Sequence, residues 1–254
     1  MEDIKDMREL EKFGKRRSIR VYSDREVSDE LLDRILETAM RAPTCGNMQL
    51  YSVVVTRDAE AKKALSPAHF GQPMVTGAPV VLTVCADYNR FTRWCKLSDA
   101  DPGYDNFLSF MNAVADATIF AQQIVSAAES VGLGTCYLGT VTYNARQISD
   151  LLGLPELCVP VACITLGWPA EEGVETERLP LRAAVHREHY RADTDTEILD
   201  LFKAKDEYAP NRKYVEENDK QTLAQVFTDV RYPRAMNEDF SKAFLQLLRD
   251  KHFL

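Results

Sequence analysis

Two runs in this chain, Pro79–Ala86 (PVVLTVCA) and Val159–Leu166, are almost continuously apolar. Each is short and rich in β-branched residues. Such a run reads as a strand buried on both faces, since a strand with one wet face would alternate. The covering layers have candidates nearby. The helical pattern of Phe107–Ser130 is interrupted by Asn112, Asp116, Gln122, Gln123 and Glu129, so it suits a buried helix and not a membrane span. Tyr51–Thr56 and Thr135–Leu138 read as further strands, and Asp58–Leu65 and Ala145–Leu152 as further helices. Helices and strands alternate to about residue 170, which argues a sheet covered on both faces.

Boundaries follow from local chemistry. Ser28 is placed to cap a helix that repeats Leu31, Leu32, Ile35, Leu36, Ala39 and Met40, and Ala42-Pro43 stops it. Gly132 and Gly134 end the long helix. Met1–Gly14 reads as a short amphipathic helix, Asn89–Asn106 as a helical turn and a loop, and Glu171–Glu177 as an acidic loop. From Thr194 onward the chain is polar, with helices expected at Thr196–Lys205, Asp219–Val230 and Asn237–Asp250, separated by Pro210 and Pro233. We expect one domain over 1–193 and a helical extension over 194–254 in the same globule, giving dimer contacts and a lid.

The charge balance narrows the function. A net charge of −8 over 254 residues disfavours nucleic acid and purely electrostatic membrane attachment as partners. Six cysteines form no CxxC pair and no zinc spacing, so no metal is expected. Reduced thiols, and an N-terminus with no apolar h-region, point to the cytoplasm.

Four segments could carry chemistry. Lys15-Arg16-Arg17-Ser18-Ile19-Arg20 is the densest positive cluster of an acidic chain. In extended geometry Arg16, Ser18 and Arg20 share a side, where guanidinium forks and a hydroxyl suit a phosphate. A solvated basic turn is the plainer reading. Arg41–Leu50 (RAPTCGNMQL) is rich in small and amide groups and can offer NH and CO groups to a flat heteroaromatic, or simply connect helix to strand. Cys45 has no histidine near in sequence, which disfavours a thiol nucleophile. Gly132–Gly139 (GLGTCYLG) fails the GxGxxG fingerprint and precedes a strand, so a Rossmann site is disfavoured. His186 and His189 could share a helical face but lack a third ligand; Asp116 and Glu129 could be a buried acid and a proton donor, though solvated or hydrogen-bonded carboxylates are the plainer reading.

Taken in order, these segments resemble the nitroreductase / NAD(P)H:flavin oxidoreductase family. The resemblance rests on Arg16–Tyr22 (RRSIRVY), on Arg41–Gln49 (RAPTCGNMQ), on Gly132–Gly139, on Val159–Pro169 (VPVACITLGWP) and on Arg178-Leu-Pro180. The tail is similar to the larger oxygen-insensitive nitroreductase–flavin reductase subgroup. The resemblance implies an α/β sandwich around a mixed, mainly antiparallel sheet, and a homodimer with FMN at its interface. It implies that Arg16, Arg17, Ser18 and Arg20 hold the phosphate and ribityl end, with Arg178 reaching the phosphate. Pro43, Thr44, Cys45 and Asn47 of the second copy would line the ring, Gln72 would sit beside the ribityl and ring edge, and Tyr137, Leu138 and Gly139 would cover one face. NADPH or NADH would donate hydride, and nitroaromatics, quinones or free flavin would accept electrons in ping-pong order. No protein acid or base is required, because the flavin carries the chemistry. A non-catalytic flavin-binding protein and a branch specialised for reductive dehalogenation are the alternatives.

Overall fold

The computed structural model describes residues 7–254. The first six residues of the helix expected from Met1 lie outside the described residues; within them the helix is α1, Arg8–Gly14. By its internal contacts the chain divides into two compact units. One joins the described residues 7–16 to Val174–Asp239; the other joins Arg17–Gly173 to Phe240–Leu254.

The larger unit is built on four strands: β1 (Tyr51–Thr56), β2 (Val80–Asp87), β3 (Gly134–Tyr137) and β4 (Cys158–Gly167), in the order β1-β2-β4-β3. The sheet, expected as mixed and mainly antiparallel, is antiparallel at each of its three pairings. The two apolar runs are the inner pair, and every residue of β2 is buried. Pro160 has no N–H for the ladder of an inner strand. The register shifts there, from Val84 opposite Ala162 to Cys85 opposite Pro160, and this bulge absorbs the missing donor.

Alternation in the inner strands faces one set of side chains each way. Leu82, Val84, Ala162, Ile164 and Leu166 pack with α2 (Asp29–Ala39) and α6 (Phe107–Ser130). Val81 and Cys163 pack with α3 (Ala59–Leu65), α4 (Pro73–Gly77) and α7 (Ala145–Leu151). This is the expected three-layer sandwich. Helix α6 has the bounds that its periodicity predicts, capped by Asn106, whose Oδ1 accepts from the Ser109 N–H at 3.0 Å. Asn89–Asn106 is more ordered than expected, because α5 occupies Asn89–Leu97 before the loop.

The smaller unit is helical. It holds α1, α8 (Asp195–Glu207), α9 (Ala209–Glu217) and α10 (Leu223–Gln225), the last continuing as a π-type turn over Val226–Arg231. The helix expected over Asp219–Val230 thus begins late, at Leu223, and takes π-type geometry from Val226, and α9 precedes it. Pro210, expected to separate helices, sits just past α8 in the first turn of the unexpected α9, where its missing N–H costs nothing. Helix α11, Arg234–Asp250, is shared in sequence between the two units.

The glycines of the Gly132–Gly139 segment have different duties. Gly132 has φ +88° and ends α6 in the left-handed region, as expected. Gly134 instead makes room: a Cβ there would meet the Ile19 Cβ at 2.6 Å. We predict that Gly134→Ala lowers unfolding stability by about 1–3 kcal/mol, the cost of overpacking. Urea denaturation of the variant beside the parent chain measures it.

Candidate active site

Segment 17–23 lies against the β3–β4 end of the sheet. The Ile19 N–H donates to the Thr135 carbonyl at 2.9 Å, the Ser23 N–H to Trp168 O at 2.9 Å and the Ala170 N–H to Val21 O at 3.0 Å. Tyr22 locks it. Its hydroxyl contacts Thr165 Oγ1 at 2.7 Å and donates to Ile19 O at 2.7 Å, and burial pushes its pKa far above the ordinary value. With Ile19 buried, the segment presents Arg17 and Ser18 half-buried and Arg20 exposed. The Glu171 carboxylate accepts from the Arg20 and Val21 N–H groups at 2.6 and 3.1 Å, which fixes the backbone under these side chains.

The same edge carries two more predicted groups. Strand β3 delivers Tyr137, half-buried, then Leu138 and Gly139. Leu138 is sunk in the core and its N–H donates to the Cys163 carbonyl at 2.9 Å, whereas Gly139 is exposed and a Cβ there would meet nothing within 4 Å. The turn that bears Gln72 is clipped to this one through His69. His69 Nδ1 contacts Thr140 Oγ1 at 2.8 Å, with the tautomer deciding which atom donates, and the Gln72 N–H donates to His69 O at 3.2 Å. Phe70 and Gly71, between them, have φ values of 54° and 67°. Asn144 Nδ2 adds a bond to Ala68 O at 2.8 Å. Thus Arg17, Ser18, Arg20, Gln72, Tyr137, Leu138 and Gly139 gather at one edge of the sheet.

Pro43, Thr44, Cys45 and Asn47 do not join them. Their loop enters β1, on the opposite edge. Tyr137 lies opposite Ile164, Ile164 opposite Leu82 and Leu82 opposite Val55, while the loop meets β1 before Tyr51. Three strand spacings across and about four residues along put the two sets on the order of 20 Å apart in one copy. Pro43 and Asn47 are exposed, and Thr44 Oγ1 is buried without a hydrogen-bond partner among the described residues. The Cys45 thiol has its pKa raised by the neighbouring Asp116 carboxylate, then by burial, which argues against a thiolate nucleophile.

Arg16 and Arg178 belong to the smaller unit. Arg178 Nη1 donates within its own loop, to Thr176 Oγ1 at 2.6 Å and to the Glu177 carbonyl at 3.0 Å. Glu177 in turn holds Lys205 at 3.2 Å and Asn211 Nδ2 at 3.1 Å, and these groups line a cleft of about 410 Å³. Among the described residues no cluster of three or more side chains could hold a metal ion, and no helix is long and apolar enough to cross a membrane.

Sequence reasoning missed His69 and Thr140. Nothing in the one-dimensional pattern joins positions 71 residues apart. Burial lowers the His69 pKa to about 4 from an ordinary 6.5. The unfolded chain therefore takes up a proton at a higher pH than the native one, and stability falls as pH drops from about 6.5 towards 4. We predict a loss of about 2–3 kcal/mol between pH 7.5 and 4.5 from this residue, which His69→Asn removes. Urea unfolding at the two pH values measures it.

Comparison with known proteins finds relatives over most of the chain. The model of the family described as the nitroreductase family matches residues 14–168. An FMN reductase [NAD(P)H] of Bacillus subtilis (strain 168) is 35% identical over 223 residues, covering 85% of this chain and 90% of that one. A crystal structure from Bacteroides fragilis NCTC 9343 has 49% identity and a TM-score of 0.94, covering 96% of this chain and 99% of that one. The NADPH:FMN oxidoreductase from Vibrio harveyi, complexed with NAD+, has 26% identity and a TM-score of 0.74, covering 86% and 94%.

Proposed function

Because this chain belongs to the nitroreductase family, and is an oxidoreductase of its NAD(P)H-dependent flavin- and nitro-reducing kind, we propose that it works as a homodimeric FMN enzyme. Hydride would come from NADPH or NADH, and nitroaromatics, quinones or free flavin would take the electrons in a second half-reaction. The observation that carries the reading is the split of the site. Phosphate-type and ring-covering groups sit at the β3 edge, while the ring-lining loop of the same copy lies on the order of 20 Å away. A second copy supplies the missing half. Helix α6 offers the surface for it, since Leu108, Met111 and Ile119 are exposed and share one face of the helix.

The residues present fit FMN. Arg17, Ser18 and Arg20 form a cationic, hydrogen-bonding cluster for a phosphate. Open space over Gly139 leaves room for a flat ring, and the buried Thr44 hydroxyl lacks a partner among the described residues. When bound, FMN supplies the hydride-accepting and electron-donating chemistry. The chain's own part is orientation and exclusion of water. Arg17, Ser18 and Arg20 bind the phosphate end, and Gln72 holds the ribityl and ring edge. Tyr137 and the Leu138-Gly139 backbone cover one face, and Pro43, Thr44, Cys45 and Asn47 of the second copy close the ring edge. All six cysteines are free thiols, which suits a reducing compartment, and we place the enzyme in the cytoplasm.

Two experiments test this. The purified protein should show flavin absorption that NADPH or NADH bleaches under anaerobic conditions, the faster donor giving the preference. Flavin bands that persist with both donors would leave a flavin-binding protein without reductase activity. Arg17→Ala and Arg20→Ala should each weaken FMN retention by about 1.5–3 kcal/mol, the size of a charge-assisted hydrogen bond. Unchanged affinity in both variants, measured by flavin fluorescence, removes the phosphate assignment.

A further inference from the structure

The loop into β1 holds a conformation that its residues do not favour. Gly46, Asn47 and Gln49 have φ of 54°, 56° and 55°, in the left-handed region. That region suits glycine, is tolerated by asparagine and is costly for glutamine, so three such residues in four persist only where the surroundings impose them. One buried carboxylate does so. Asp116, on α6 and 1% exposed, accepts the Cys45 N–H at Oδ1 (2.8 Å) and the Leu50 N–H at Oδ2 (3.1 Å). Its two oxygens tie both ends of the loop to one point on a rigid helix. These charge-assisted bonds offset the cost of burying the carboxylate. Arg90 adds a second tie from the exposed side, where Nη2 donates to Gln49 O at 2.8 Å and to Tyr51 O at 3.0 Å. Asp87, hydrogen-bonded to Ser52 Oγ, stands 3.9 Å from the Arg90 guanidinium.

We propose that Asp116, seconded by Arg90, is a positioning residue of the redox site. It touches no reacting atom. It holds residues 44–49 in the single shape that can line the ring of the flavin bound by the second copy, and this rests on the function proposed above. A loop freed of the two bonds relaxes to ordinary φ values, and Thr44, Cys45 and Asn47 then lose their common direction.

The test compares the FMN-loaded dimers of the parent chain, Asp116→Asn, Arg90→Ala and Ile124→Val. Asn keeps the size of Asp but sets an amide N–H against one of the two backbone donors. Ile124→Val trims a buried side chain just over two turns further along the same helix and serves as the control for stability alone. Readouts are FMN affinity by fluorescence, the visible spectrum of the bound flavin, KM and kcat with 1,4-benzoquinone, and the thermal midpoint. We expect Asp116→Asn to weaken FMN about tenfold or more, to shift the bound spectrum and to raise KM more than it lowers kcat. Arg90→Ala should move the same readouts in the same direction by about threefold. Ile124→Val should lower the thermal midpoint and leave the spectrum and affinity alone. Parental affinity and spectrum in both loop variants overturn the proposal, as does an equal shift in Ile124→Val. Should Asp116→Asn not fold, Arg90→Ala decides by itself, since Arg90 is exposed. A parent chain that takes up no FMN overturns the preceding reading and this one together. A parent chain that binds FMN, beside loop variants that match it, overturns this one alone.

Discussion

The pairing of β2 with β4 is the constraint on which the larger unit depends. Both strands are inner strands and both are buried, β2 along its whole length. Their polar backbone can be satisfied only by each other and by β1 and β3, and their side chains only by helices on both faces. Helices α2 and α6 on one side, with α3, α4 and α7 on the other, answer that demand. The bulge at Pro160 is a local adjustment that keeps the pairing intact where one donor is missing.

The candidate site sits at the rim of this sheet and is held by a few polar ties across long sequence separations. Tyr22 pins segment 17–23 to Thr165, His69 pins the Gln72 turn to Thr140, and Asp116 pins the loop into β1 to α6. Each tie is buried or half-buried, where hydrogen bonds are strong and their loss is costly. Loops at a rim have few apolar contacts of their own, so directional bonds set their shape.

Much of the fold was legible in one dimension. The two apolar runs are the inner strands, and α6 spans Phe107–Ser130 as its periodicity requires. Strong periodicity over many residues leaves little choice. The tail was less legible. Its helices are polar, so no helix was expected over Ala209–Glu217, and the next was expected from Asp219 when Thr222 caps its start at Leu223 and π-type geometry follows from Val226. The candidate residues were legible as types, in motifs that together mark the family. The resemblance already gave the Cys45 loop to the second copy, but local pattern showed neither the contact of His69 with Thr140 nor the strand order that sets that loop apart from Tyr137.

Sequence by itself determined the family, the covered sheet and the residue types at the site, because these follow from local pattern: apolar periodicity, caps, and motifs of fixed spacing. The tertiary structure alone decided which candidates share an edge of the sheet. It alone turned Asp116 from an ambiguous carboxylate into the anchor of a strained loop. Both depend on strand order and on hydrogen bonds between residues 60 or more apart. No local pattern encodes those pairings, since they are chosen by the packing of the whole unit.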